Sequence, residues 1–130
     1  MKYLIQLGFL FVGLLFCISL QAQPQPVELK VLQSSRTVEV FIDGKFFTSY
    51  LYPSDLGKPV LFPLLTAAGT PVTRGYPLAP RAGERVDHPH HVGMWFNFGD
   101  VNGLDFWNNS YAIPDKDRHH YGRVVHQEII

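Results

Sequence analysis

Cysteine is nearly missing. The 130 residues hold one, Cys17, and it falls in the apolar leading segment. If that segment is removed, no disulfide braces the mature chain, and stability has to come from a hydrophobic core. About a hundred mature residues build one small core of that kind, and a marginal one. An excess of either charge is missing too: Lys+Arg and Asp+Glu are both 11. With no basic run, a nucleic-acid partner is not expected. The mature part offers no Gly-rich phosphate loop, no internal repeat and no convincing amphipathic helix.

Long apolar runs are scarce, with one exception. Leu4 to Leu20 is apolar apart from Gln6, Gly8, Gly13 and Ser19. Lys2 gives a positive start, and Leu20-Gln21-Ala22 puts a small residue at a cleavage point. This is the pattern of a secretory signal peptide, residues 1–22, cleaved near Ala22. The mature product, 23–130, is then expected in the periplasm or outside the cell, with no membrane contact. One rival is an N-terminal membrane anchor, since the run approaches spanning length. A lipoprotein signal at Cys17 is the other, and Phe16 fits it poorly.

What the mature chain does have is strand character. Val27 to Leu32 and Thr37 to Ile42 read as short strands, and Asp43-Gly44 is a hairpin signal leading into Lys45 to Tyr52. Pro59 to Thr66 is a second apolar run whose Pro63 suggests an edge strand or bulge. Ala68-Gly69-Thr70 reads as a turn and Tyr76 to Val86 as a loop. Arg74 is placed on the surface, with pairing to a carboxylate near the site as the other option. Asn108 to His120 reads as loop, and Tyr121 to Ile130 returns to strand. His126 and Glu128 share a face there, and His119 and His120 look solvated. The fold class that follows is all-β, an antiparallel β-sandwich-like domain preceded by the signal-peptide helix. A strand still in progress at Val124 to Ile130 would expose an unpaired edge, so the domain is expected to be the N-terminal part of a longer one.

One stretch concentrates chemistry. Asp87 to Trp107, DHPHHVGMWFNFGDVNGLDFW, holds three of the six histidines and both tryptophans. Val92, Met94, Phe96 and Phe98 alternate with Gly93, Trp95, Asn97 and Gly99, a period of two that argues strand. The even set should face a core. His91, Gly93, Trp95 and Asn97 would then present an imidazole, a gap, an indole and an amide on the other face. A glycine inside a strand marks a close approach. The alternative is a sheet buried on both faces, with Trp95 in the core. Asn102-Gly103 is a strong hairpin signal, and Leu104 to Trp107 returns as the partner strand. With a two-residue loop, Asp100 and Asp105 lie opposite each other. Such a pair has to hold a cation, share a proton or bond nearby N–H groups.

Pro89 should press His88 into an extended conformation. His88 and His90 then point to one side and His91 to the other. Two imidazoles at that spacing can share a divalent metal, with Asp87 as an outer partner. A histidine with a pKa near neutrality also suits proton transfer to or from a sugar hydroxyl. The third option is a polar corner whose histidines bond backbone carbonyls.

The same run, preceded by GTPVTRGYP and followed by YGRVVH, resembles a bacterial group known as the PmoA, or methane oxygenase PmoA, family. The resemblance extends from about Gly44 to His126. Members are typically much longer chains and have a basic residue where Val92 stands here. They occur in sugar-degrading bacteria of the Bacteroidetes and Planctomycetes type, often beside sugar oxidoreductases, which implies carbohydrate metabolism by association. The name implies a metal-dependent oxygenase. Yet the membrane subunit it borrows from is a bundle of transmembrane helices, whereas this mature chain reads as strands and starts at Gln23. A copper site headed by an N-terminal histidine is thus excluded, and methane oxidation is not expected.

Three functions follow. In an exported enzyme acting on carbohydrate, His90 or His91, with Asp87, would be the acid or base, and Trp95, Asn97, Asn102, Asp105 and Trp107 would hold the sugar. In a metal-dependent oxygenase or hydrolase, His88, His90 and a carboxylate would be ligands. A sugar-binding or envelope module would use the same aromatic wall without chemistry.

Overall fold

The structure, a computed structural model, describes residues 26–130. The leading segment, with the cleavage point at Ala22, the anchor alternative and Cys17, lies outside the described residues. Among those described, no helix is long and apolar enough to cross a membrane.

The protein is all-β. Strands β1 (Val27–Leu32), β2 (Thr37–Ile42), β3 (Lys45–Leu51) and β4 (Val60–Leu61) follow one another and form one antiparallel sheet in that order. The first three match the alternating runs in the sequence. Asp43 and Gly44 close the β2–β3 hairpin with φ of 52° and 68°, the left-handed pair that a two-residue turn demands. A bulge follows: Val40 faces Thr48 but Phe41 faces Phe46, which leaves one extra residue on β3 and adds local twist. Beyond β4 the chain keeps bonding to β3, with Phe62 N–H donating to Ser49 O at 2.9 Å and Leu65 N–H to Phe47 O at 3.0 Å.

Register assigns the faces. Val31, Val38, Tyr50 and Leu61 form one cross-sheet row; Leu32, Thr37, Leu51 and Val60 form the row on the opposite face. The core lies on the second face, toward the β4 edge. Val60, Phe62 and Val92 are buried together there, and Leu51, Leu56 and Trp95 pack against them. On the first face Val27 and Leu29 are exposed.

The segment after β4 is less regular than its alternation suggests. Of the even set, only Val92 is buried, while Met94, Phe96 and Phe98 are exposed, Phe96 at 88%. The cause is local. Gly93 adopts φ +55°, and a Cβ there would stand 2.4 Å from Leu61 O. The left-handed residue breaks the pleat, so contact with β4 reduces to a bridge between Leu61 and Met94. The close approach expected at this glycine is real, and the neighbour is β4 backbone. The turn at Asn102-Gly103 forms, with Val101 and Leu104 exchanging hydrogen bonds at 3.0 and 3.1 Å, but no ladder extends from it. Tyr121 to Ile130 is likewise not a strand; its pairing is a parallel bridge from Tyr121 to Asp105. Within the expected loop after Trp107, Asp115–His120 is a 3-10 helix.

Candidate functional site

The site is built from three chain segments. The first is the turn before the broken strand. His88 has φ +49°, not the extended conformation expected ahead of Pro89, and its carbonyl accepts from His91 N–H at 2.9 Å. The resulting tight turn gathers His88, His90 and His91 instead of alternating them. Their ring centroids lie 5.0 Å (His88–His91), 4.3 Å (His90–His91) and 5.6 Å (His88–His90) apart. Asp87 holds the turn from outside. Its Oδ2 is 3.2 Å from His88 Nδ1 and its Oδ1 is 3.4 Å from Arg74 Nη1.

Arg74 is therefore not the free surface residue expected. Its Nη2 also donates to Asp87 O at 2.7 Å and Arg85 O at 2.8 Å, so one planar guanidinium clamps the loop entering the turn. Glu84 braces the same loop by accepting from Gly75 N–H at 2.7 Å and Tyr76 N–H at 3.1 Å. Burial acts to raise the Asp87 pKa. The His88 hydrogen bond and the charges of His88, Arg74 and Arg85 outweigh it, so the carboxylate sits below its ordinary value.

The second segment is aromatic. Trp95 and Trp107 have ring centroids 5.9 Å apart, and His91 lies 5.8 Å from the first and 6.2 Å from the second. Asn97 ties them: its Nδ2 donates to Trp107 O at 3.4 Å, while its Oδ1 accepts from Phe98 N–H at 2.8 Å. The two aspartates settle as self-contained turns. Asp100 accepts from Gly103 N–H at 2.8 Å; Asp105 accepts from Asn108 N–H at 2.9 Å and Asn108 Nδ2 at 2.6 Å. Each carboxylate thus bonds N–H groups of its own turn. Burial acts to raise the Asp105 pKa; the Asn108 bonds, the Trp107 N–H and the His90 charge outweigh it, so the carboxylate sits below its ordinary value. Asn102 occupies the turn tip with φ +55°.

The third segment is Lys58, which the sequence places in a loop. Its residue is 4% exposed. Its Nζ lies 4.5 Å from the Trp95 ring centroid and donates to Trp107 O at 3.3 Å. Burial pushes its pKa down to about 8, with the Asp105 charge pulling the other way. His90 is lowered by burial and then by the charges of His91, Lys58 and His88; His91 by burial and then by His88, Arg74 and Lys58. The one hint of Lys58 in the sequence was a lysine abutting the apolar run Pro59 to Leu65.

Two adjoining cavities flank this cluster. One of about 620 Å³ is lined by Lys58 with Tyr52, Ser54, Arg123 and His126. The other, about 480 Å³, is lined by Trp95 with Tyr50, Leu61, Met94 and Phe96. The three gathered histidines line neither. His126 is held by Tyr50 OH at 3.3 Å from its Nδ1 and stacks on Tyr52 at 4.0 Å, instead of pairing with Glu128. As for a metal, among the described residues no group of three or more His, Cys, Asp or Glu is placed to hold one. Asp87, the carboxylate expected beside His88 and His90, is instead engaged by Arg74 and His88.

A scan against known families matches the chain over residues 37–130 to a family of unknown function, DUF6807. The chain belongs to the DUF6807 family. The match takes in β2 to β4 and every site residue named above, and so places the site inside the family domain. Searches of curated proteins and of solved structures returned no match.

Proposed function

We propose that this DUF6807 protein is an exported carbohydrate-binding protein whose ligand rests on the Trp95–Trp107 pair beside His91, with His90 and His91 available for proton transfer. What supports the reading is the convergence of two indoles and an imidazole within 6.2 Å of one another. Indole faces pack against the C–H face of a sugar ring, and a few polar groups fix its orientation. Burial holds His90 and His91 below the ordinary histidine value and so favours their neutral form, which can accept a proton. The resemblance to PmoA family proteins of sugar-degrading bacteria points the same way.

Titration of the purified chain with a panel of neutral and acidic monosaccharides, followed by tryptophan fluorescence, tests this. Trp107→Ala should weaken any sugar binding at least tenfold. Where turnover of a sugar is found, His91→Ala should abolish it without loss of binding. A panel that leaves both fluorescence and sugar unchanged refutes the reading.

A further inference from the structure

The core of the cluster holds two donor groups, Lys58 Nζ and Trp95 Nε1, with N–H bonds left unpaired. The Lys58 ammonium carries three N–H donors, and its one hydrogen bond is to a neutral carbonyl, Trp107 O, at 3.3 Å. Among the described residues, no carboxylate lies within 4 Å of it. Asp105, the carboxylate whose charge acts on it, spends both oxygens on Asn108. Directly beneath the ammonium is the Trp95 ring, whose Nε1–H is buried with no acceptor among the described residues. A buried polar group without a partner is uncommon in a folded protein and calls for a cause. A buried cation without a counter-charge is costlier still.

We infer that this DUF6807 site takes a sugar acid, its single carboxylate accepting hydrogen bonds from Lys58 Nζ and Trp95 Nε1 while the sugar ring lies against Trp107. The inference rests on the carbohydrate reading and narrows it. The charge count selects the ligand. The imidazoles of His90 and His91 are held toward the neutral form by burial, so Lys58 is the cation seated against Trp95. One ammonium balances one carboxylate, and the Asp105 charge acting at the same place disfavours a second negative charge on the ligand. Lysine is a compact point charge and suits a carboxylate that also bonds an indole N–H. A neutral sugar could satisfy the indole but would leave the ammonium without a counter-charge. Trp107, 44% exposed, is the most exposed of these groups, and its carbonyl holds the ammonium at 3.3 Å.

The test compares D-glucuronate, D-glucose and sodium acetate as ligands of the full chain near pH 7, read by tryptophan fluorescence and by calorimetry. Lys58→Met and Lys58→Arg are measured beside the wild type. The expected result is glucuronate binding at least tenfold tighter than glucose. Lys58→Met should erase that preference and Lys58→Arg keep part of it. Equal affinity for glucuronate and glucose overturns the inference and leaves the carbohydrate reading standing. So does an unchanged preference in a Lys58→Met protein that melts like the wild type. Acetate matching glucuronate, with glucose silent, upholds the carboxylate contact and overturns the sugar platform. No saturable response to any of the three overturns both. Should Lys58→Met fail to fold, the wild-type comparison decides alone.

Discussion

Lys58, His90 and His91 share one physical predicament: each is a base placed where its charged form is disfavoured. For all three, the folded chain binds a proton less readily than the unfolded chain. In the window between the folded value and the ordinary one, the unfolded state carries more protons, so stability rises with pH. For the histidines that window ends at 6.5; for Lys58 it runs from about 8 to 10.5. Denaturant midpoints measured across pH should therefore fall on acidification below 6.5, before the carboxylates titrate. They should rise again on the alkaline side. His90→Gln with His91→Gln should flatten the acid limb, and Lys58→Met the alkaline rise. A profile flat from pH 5 to 10 in the wild type contradicts the burial assigned to these groups.

Among the elements, β1 to β3 were legible because two local signals agree. A period of two runs through Thr37–Ile42, and Asp43-Gly44 supplies the positive φ that closes the hairpin. The run from Val92 to Phe98 shows the same period and still fails to make a strand, because Gly93 turns left-handed against Leu61. Alternation records which residues are apolar; it does not record a backbone that approaches from elsewhere in the chain. Lys58 was illegible for a related reason, since its burial depends on Trp95 and Trp107, which are far away in sequence. The histidine and tryptophan cluster was legible from composition alone, although its geometry is a tight turn and not a pleat. Two glycine replacements separate these effects. Gly93→Ala should cost about 3 kcal/mol of stability, since it adds a clash with Leu61 O to the strain of positive φ. Gly103→Ala, at φ +82° with open space around it, should cost about 1 kcal/mol from strain alone. Urea midpoints of the two variants check the difference.

At the scale of the whole molecule, the hydrogen-bonded ladder and the candidate site occupy different kinds of structure. β2 is paired on both sides along its length, whereas residues 87–107 are held by a few turns, bridges and side-chain clamps. Local opening starts where backbone bonds are few and exposed. Amide hydrogen exchange should therefore protect Val38 to Val40 and Thr48 to Tyr50 longest and release most of 87–107 earlier. A saturating ligand of the Trp95–Trp107 pair should slow exchange in 87–107 and leave β2 unchanged. Early exchange in β2 would show that the sheet does not form the stable part of the fold.

The short segment from Tyr121 to Val124 reaches both halves of the Lys58–Trp107 contact. Gly122 N–H donates to Asp105 O at 3.0 Å, two residues before Trp107, and Val124 N–H donates to Gly57 O at 3.1 Å, next to Lys58. Asn109 Nδ2 adds a third tie, to Gly122 O at 2.7 Å. Those few residues work as a splint across a joint: the ammonium and the carbonyl it bonds keep their spacing because one piece of backbone is fastened to both sides. A nick in that splint, cutting neither Lys58 nor Trp107, would let the two halves drift and undo their contact.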